Sequence, residues 1–169
     1  LVFDYLAEVT MAIFARAKAK DSQLGYAVDF VNVAMKDVLK DCVEQGITVI
    51  ANAGGLNVPA CIEALEALCE QQQLDIVVAG VYGDDLIERQ SELQALQLTE
   101  MQTNEALPEN IASVNVYLGA QPIAEALAAG ANVVVTGRVV DSAVMLGPLL
   151  HEFDWQSSDY DKLAQGALV

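Results

Sequence analysis

Residues 131–142, ANVVVTGRVVDS, decide the fold class. The apolar run at residues 133–135 ends at Thr136, a polar turn follows at residues 137–138, and Asp141 opens a helical pattern. An uninterrupted apolar strand is typical of a parallel sheet covered by helices, because neither face of such a strand meets water. The stretch therefore predicts one strand–turn–helix unit of an α/β protein.

The same alternation continues along the rest of the chain. Apolar runs predict strands at residues 1–6, 47–51, 74–81, 111–118 and 132–136. Helical periodicity predicts helices at residues 7–20, 29–45, 60–72, 86–96, 122–129 and 141–153. Such helices can make the crossovers that parallel strands need. We therefore predict an α/β fold with a mainly parallel, doubly wound (Rossmann-like) sheet and helices on both faces; part of a β/α barrel is the alternative.

The length of the chain fits one α/β domain, residues 1–169. A strand pattern is already in progress at Leu1, and the chain stops at Val169 without a terminating signal, so we expect a fragment of a longer domain, truncated at both ends. Residues 97–110 have no period and predict a loop or a short hairpin. No apolar run approaches the length of a membrane span, so we expect no membrane-spanning segment.

The formal net charge is -16. After residue 40 the basic residues are only Arg89, Arg138 and Lys162. Such a surface repels nucleic acid and anionic lipid headgroups, so we expect neither as a partner. The cysteines form no CxxC motif, and we expect them to be small core residues of a protein in a reducing compartment.

The turn after the strand at residues 47–51 consists of Asn52, Ala53, Gly54 and Gly55. Its glycines let a ligand approach the backbone, and the N-terminus of the next helix offers N–H groups to an anion. A tight strand-to-helix turn explains the same residues, so both interpretations stay open.

Two carboxylates, Asp84 and Asp85, follow the strand at residues 74–81. They can bind a divalent metal, orient a hydroxyl or act as an acid/base pair, or one of them can simply cap the next helix. Asn115 and Tyr117 alternate along a predicted strand and therefore share a face, where they contact either a ligand or a neighbouring loop. No second cluster of metal ligands accompanies the carboxylates, so we predict no metal site.

Arg138 is the strongest candidate for a binding residue. A lone arginine in an acidic half of the chain suits a carboxylate or phosphate, which it can bind bidentately. Asp141 can fix the guanidinium by an ion pair or cap the following helix, and a purely structural Arg–Asp pair is the alternative. His151, the single histidine, could act as a general base if its helix end faces the same crevice; a structural role is the alternative.

Several short sequence segments occur together in a fixed order. They are LVFDYLAE at residues 1–8, IANAGG at 50–55, GDD at 83–85, NVYLGA at 115–120, VTGRVVD at 135–141 and HEF at 151–153. This ordered set resembles the N-terminal domain of the acyclic terpene utilisation AtuA family, formerly a domain of unknown function. The resemblance implies a bacterial-type cytoplasmic protein linked to the catabolism of citronellol and geraniol through acyl-CoA intermediates. It also implies a strand and a glycine-rich turn before Leu1 and a continuation after Val169.

The leading functional hypothesis is an enzyme that acts on a branched acyl-CoA or a related carboxylate by a hydration, lyase or hydrolase-type reaction. The predicted catalytic residues are Asp84, Asp85 and Asp141. The predicted ligand-binding residues are Asn52, Gly54, Gly55, Asn115, Tyr117, Thr136, Gly137 and Arg138. The alternative is a non-catalytic binding or assembly module for an acyl-CoA carboxylase pathway. The expected macromolecular partners are a second copy of the chain or a protein of that pathway. The sequence indicates no particular cofactor.

Overall fold

The computed structural model describes residues 1–168. Within these residues, four short strands form one parallel sheet in the order β1-β2-β4-β3. They are β1 (Val2–Phe3), β2 (Val49–Ala51), β3 (Val78–Val81) and β4 (Val133–Thr136). Ile50 of β2 pairs with Val2 of β1 on one side and with Val134 of β4 on the other. The predicted α/β fold with a parallel sheet is therefore confirmed, and each strand is shorter than its apolar run because only the inner residues enter the ladder.

Helices connect and cover the strands. They are α1 (Glu8–Lys20), α2 (Lys36–Glu44), α3 (Val58–Gln72), α4 (Gln90–Ala95), α5 (Gln121–Ala128), α6 (Ala143–Glu152) and α7 (Tyr160–Gly166). A π-helical segment, Phe30–Met35, leads directly into α2, and a 3-10 turn, Ile87–Arg89, leads into α4. The predicted helices at residues 29–45 and 86–96 are thus each built from two helical types.

Alternate residues of the strands supply two hydrophobic cores on opposite faces of the sheet. Val49 and Val133 pack with α2 and α3 on the first face. Ile50 and Val134 pack with α5 and α6 on the second face. Helices therefore cover both faces, as in a doubly wound sheet, although four parallel strands are also compatible with part of a β/α barrel.

The direction of the connections explains why the helices divide between the faces. The chain moves from β1 to β2 and on to β3 through α2 and α3, and then returns through α5 to β4, which lies between β2 and β3. Right-handed crossovers place helices on opposite faces when the direction along the sheet reverses. The helices that follow the neighbouring strands β2 and β4, α3 and α6, therefore lie on opposite faces of the sheet.

Residues 111–118 are not a strand of the sheet, so the prediction of a fifth strand was wrong. They form an extended segment with isolated bridges, from Asn115 to Asp85 and from Leu118 to Val139. Both partners lie beyond the carboxyl ends of β3 and β4, so the segment crosses the strand ends instead of extending the ladder. The alternating apolar residues that suggested a strand leave Val116 and Tyr117 partly exposed.

The predicted domain, residues 1–169, includes Val169, which lies outside the described residues. The fold of residues 1–168 contains no helix that is both long and apolar enough to span a bilayer. The cysteines Cys42, Cys61 and Cys69 are buried free thiols, and burial raises the pKa of Cys61 to about 12. They act as small core residues, as the sequence predicts.

Candidate functional site

Polar residues follow every strand at the carboxyl edge of the sheet. Asp4 comes directly after β1, Asn52 after β2, Asp84 soon after β3 and Arg138 soon after β4. Asn52, Asp84 and Arg138 are buried. Buried polar groups need partners, and here each group finds its partners among residues from the other strand ends.

Arg138 lies at the centre of this edge and is only 3% exposed. Its Nη1 donates to the Leu6 carbonyl oxygen at 3.0 Å and lies 3.1 Å from Asp141 Oδ1. Its Nη2 donates to the Tyr117 hydroxyl at 2.9 Å and lies 3.5 Å from Glu8 Oε1. The guanidinium carbon also lies 4.1 Å from the centre of the Tyr117 ring, a cation–π contact. The cation is therefore surrounded by a backbone oxygen, an aromatic ring and two carboxylates.

The carboxylates that neutralise Arg138 are themselves in water. The side chains of Glu8 and Asp141 are 82% and 65% exposed, and Tyr117 is 49% exposed. The Tyr117 hydroxyl donates to Glu8 Oε1 at 2.7 Å, and this hydrogen bond lowers the pKa of Glu8. Glu8 and Asp141 therefore hold their charges in water, whereas the guanidinium with which they pair is buried.

Asp84 is the buried carboxylate of the site. Its Oδ2 accepts hydrogen bonds from the Arg138 backbone N–H at 2.8 Å and from Asn115 Nδ2 at 2.9 Å. Burial raises the pKa of Asp84 even though these hydrogen bonds act in the opposite direction. Gly137 is required here, because a Cβ at this position would overlap the Asp84 carboxylate. Donors from two different segments therefore hold this buried carboxyl group in place.

Asn52 joins β2 to the end of β1. Its Oδ1 accepts the Tyr5 backbone N–H at 2.6 Å, and its Nδ2 donates to Asp4 Oδ1 at 2.6 Å. The Leu6 N–H also donates to Asp4 Oδ1, at 3.3 Å, and the Leu6 carbonyl is the oxygen that Arg138 contacts. Asn52 therefore fixes the backbone that carries one of the oxygens around Arg138.

The glycines after β2 approach protein groups closely. The Gly54 N–H donates to the Thr136 carbonyl at 3.1 Å, and a Cβ on Gly54 would lie only 2.7 Å from that oxygen. Gly55 has φ +52, and a Cβ there would overlap the Phe14 ring. The buried Thr136 donates its hydroxyl to the Gly137 carbonyl at 2.9 Å. The sequence left two interpretations of these residues, a loop that binds a ligand and a tight strand-to-helix turn. These contacts agree with the tight turn.

Asp85 has different partners from Asp84. Its Oδ1 accepts the Ile87 backbone N–H at 3.0 Å, and its Oδ2 lies 3.9 Å from Lys18 Nζ. The two carboxylates that the sequence grouped together therefore make separate contacts. Asp84 belongs to the Arg138 site, and Asp85 contacts α1.

His151 lies at the opposite, amino edge of the sheet. It lines a cavity of about 360 Å³ together with Thr48 and Ala131, which precede β2 and β4. Since α6 begins beyond the carboxyl end of β4, its last turn returns to the amino edge. The condition for a base role of His151, a helix end that faces the same edge as Arg138, is therefore not met.

Most of the predicted site residues meet around Arg138. The structure brings together Asn52, Asp84, Asn115, Tyr117, Thr136, Gly137, Arg138 and Asp141 through the contacts described above. The sequence analysis missed Asp4, the Leu6 carbonyl and Glu8. Asp4 follows a strand as Asn52 does, so the strand-end rule could have found it, but nothing local indicates Glu8. Among residues 1–168, no group of three or more His, Cys, Asp or Glu side chains is arranged to hold a metal ion.

Comparisons with known proteins identify the family of the chain. No curated protein and no solved structure matches at a significant level. The model of the acyclic terpene utilisation family protein AtuA matches residues 1–169, the whole chain. The chain therefore belongs to the acyclic terpene utilisation AtuA family, and this membership implies involvement in the utilisation of acyclic terpenes.

Proposed function

We propose that the protein binds a branched carboxylate, or its acyl-CoA thioester, at the carboxyl edge of the sheet and that Arg138 holds the oxygen atoms of its head group. One observation carries this proposal: the guanidinium of Arg138 is buried, whereas the carboxylates of Glu8 and Asp141 that neutralise it are exposed. These carboxylates occupy the positions that a ligand carboxylate would take.

The environment of Arg138 favours an exchange of partners. A guanidinium can hold a ligand carboxylate through two parallel hydrogen bonds, which the separate contacts to Glu8 and Asp141 do not provide. A charge pair beside the buried guanidinium is also less screened than one in water. Displacement of Glu8 would release Tyr117 as well, because the two side chains are hydrogen-bonded to each other.

Asp84 would supply the proton transfer in a hydration, lyase or hydrolase-type reaction. Because its pKa is raised, Asp84 keeps its proton to a higher pH than an ordinary aspartate does, which suits a group that exchanges a proton with a ligand. Asn115 and the Arg138 backbone N–H both bind Oδ2, so they orient the carboxyl group. Asp141 would orient Arg138 in the free protein, and Asp85 lies outside this mechanism because it faces Lys18.

Calorimetric titration with citronellyl-CoA and with citronellate tests the binding step. We expect Arg138→Gln to weaken binding of both ligands at least ~100-fold, or about 2.7 kcal/mol. Arg89→Gln is the matched control, because it removes the same charge from an exposed arginine that pairs only with Glu92 on its own helical turn. Equal binding by the Arg138→Gln variant and the wild type, with both folded by circular dichroism, would contradict the proposal.

A turnover assay separates catalysis from binding alone. We expect Asp84→Asn to bind citronellyl-CoA like the wild type but to lose turnover, because the amide cannot exchange a proton. If the wild type binds the thioester and no turnover of it is found, the protein is a binding module instead, as expected for an assembly partner in an acyl-CoA carboxylase pathway.

A further inference from the structure

The outer face of α1 carries a patch that is both apolar and basic. Its side chains recur at spacings of four, three and four residues, so they share one face of the helix; they are Val9, Ile13, Arg16 and Lys20. Val9 and Ile13 are 72% and 56% exposed, although the solvent face of a surface helix is usually polar. We call these four residues the α1 patch.

The cations of the α1 patch have no partner within residues 1–168. Neither Arg16 nor Lys20 makes an ion pair there. Lys18 on the same helix differs, because its Nζ donates to the Leu56 carbonyl at 2.6 Å and lies 3.9 Å from Asp85 Oδ2. The α1 patch therefore suits a surface that is apolar and acidic.

A hairpin after α4 presents this complementary chemistry. An antiparallel bridge closes the hairpin, and the Glu100 carboxylate accepts the Gln102 N–H at 2.8 Å, which fixes the turn. Met101 in this turn is 90% exposed. Residues 86–110 carry five acidic residues and only one basic residue. We define the hairpin patch by the exposed side chains Leu96, Leu98, Met101, Glu105 and Glu109.

The segment that carries the hairpin patch lies beside α1. Asp85, which faces Lys18, directly precedes this segment. Ile87 and Ala112, at its two ends, line the same cavity as Ala19 of α1. Two complementary patches that are neighbours on one molecule can each meet the other on a second copy, because a two-fold axis forms both contacts at once.

We propose that the partner of both patches is a second copy of the chain, with the α1 patch of each copy docked on the hairpin patch of the other. Charge complementarity favours this pairing, since Arg16 and Lys20 meet a segment in which acidic residues outnumber basic ones five to one. Contact of either patch with its own copy would bring like charges together. The inference goes beyond the proposed function and does not depend on a ligand at Arg138.

Charge reversal tests the pairing in the full chain. The first variant combines Arg16→Glu with Lys20→Glu, and the second combines Glu105→Lys with Glu109→Lys. All four positions are exposed, so the fold tolerates the changes. By sedimentation equilibrium, we expect a dimer of the wild type and an increase of at least ~100-fold in the dimer dissociation constant of each variant, because like charges then face each other.

An equimolar mixture of the two variants should dimerise again. In that heterodimer the acidic α1 of the first variant meets the basic hairpin of the second, and the other contact keeps its natural charges. The control combines Glu63→Lys with Glu66→Lys, which reverses two exposed carboxylates of α3 outside both patches. This control should dimerise like the wild type.

The apolar side chains provide a second test. Ile13→Gln and Met101→Gln should each raise the dimer dissociation constant at least ~10-fold, because each removes apolar surface that the contact buries. Val33→Gln is the control, since Val33 is an exposed residue of the π-helical segment outside both patches. Melting temperatures measured by circular dichroism should stay unchanged in all these variants under conditions where they are monomeric.

The outcomes decide the inference. Weakened dimers of both charge-reversed variants, with recovery in their mixture, support the reciprocal contact. A wild type that stays monomeric at every concentration would overturn it and leave the patches to a different protein. A dimer that neither variant weakens would place the interface elsewhere, and loss without recovery in the mixture would contradict the pairing of the two patches.

Discussion

The two edges of the sheet differ in what they bury. At or beyond the carboxyl ends of the strands lie all the buried polar side chains of the described residues: Asn52, Asn57, Asp84, Thr136 and Arg138. At the amino edge, His151 is exposed and Asn132 makes its hydrogen bond in contact with solvent. Burying polar groups is unfavourable unless they bond to one another, and at the carboxyl edge the described hydrogen bonds join them.

The largest difference in the free energy of unfolding should be found between alanine variants of two asparagines, one at each edge of the sheet. Asn52→Ala removes the fully buried partner of the Tyr5 N–H and of Asp4, so we expect a loss of about 3 kcal/mol in the free energy of unfolding. Asn132 also accepts a backbone N–H, that of Val77, at 2.9 Å, but in an exposed position where water replaces it. Asn132→Ala should therefore lose less than about 1 kcal/mol. Urea unfolding of both variants measures the difference. Equal losses of stability would contradict the difference that we expect between the two edges.

A smaller effect should follow from filling the space beside Asp84. Gly137→Ala places a methyl group against the Asp84 carboxylate, so we expect a destabilisation of about 2 kcal/mol and a loss of ligand binding. Gly119→Ala is the control, because a Cβ there meets no atom within 4 Å. Thermal unfolding compares the two variants. A stable Gly137→Ala variant that binds normally would show that Asp84 is not held in the position described.

The pH dependence of stability should identify the buried carboxylate. Because the pKa of Asp84 is raised on folding, the folded state keeps this proton to a higher pH than the unfolded state does. Its contribution therefore makes the protein less stable as pH rises through and above the ordinary pKa of about 3.8. Asp84→Asn should remove this loss and gain stability relative to the wild type between pH 3 and pH 7, by urea unfolding.

Asp159 should contribute a pH dependence of stability with the opposite sign. Its pKa is lowered, chiefly by the hydrogen bond from Lys162, so its contribution is present above the ordinary pKa and is lost as pH falls. Asp159→Asn should therefore lose a little stability at neutral pH and nothing in acid. A gain for Asp159→Asn, or a loss for Asp84→Asn, over the same range would reverse the assignment.

The smallest effect should come from the single histidine. His151→Ala changes an exposed side chain at the amino edge, so we expect less than about 0.5 kcal/mol in stability and no change in binding of citronellyl-CoA. The same calorimetric titration used for Arg138 measures it. A loss of binding as large as that of Arg138→Gln would indicate a site at the amino edge and contradict the account.

The sequence predicted the strands and the convergence of their ends because both follow from local patterns. Apolar runs identified β2 and β4, and the rule that parallel strands share a carboxyl edge brought Asn52, Asp84 and Arg138 together. The same pattern failed for residues 111–118, because alternating apolar residues cannot show whether a partner strand is available. The bridges to Asp85 and Val139 depend on the assembled edge.

The missed residues depend on contacts that are distant in the chain. The carbonyl of Leu6 and the side chain of Glu8 reach Arg138 only in the folded sheet, where β1 pairs with β2 and β2 pairs with β4. Lys18 is another example, because the folded chain places its ammonium on the carbonyl of Leu56, 38 residues further along the chain. No local pattern distinguishes these side chains from the other charged residues on α1.

The most direct test of a binding site at the carboxyl edge is an NMR titration of the labelled protein with citronellyl-CoA. Binding there predicts the largest chemical-shift changes at the Arg138 side chain and at the backbone N–H groups of Glu8, Tyr117 and Gly137. The residues around His151 at the amino edge should keep their shifts. Changes confined to the amino edge, with Arg138 unaffected, would contradict the assignment of the site.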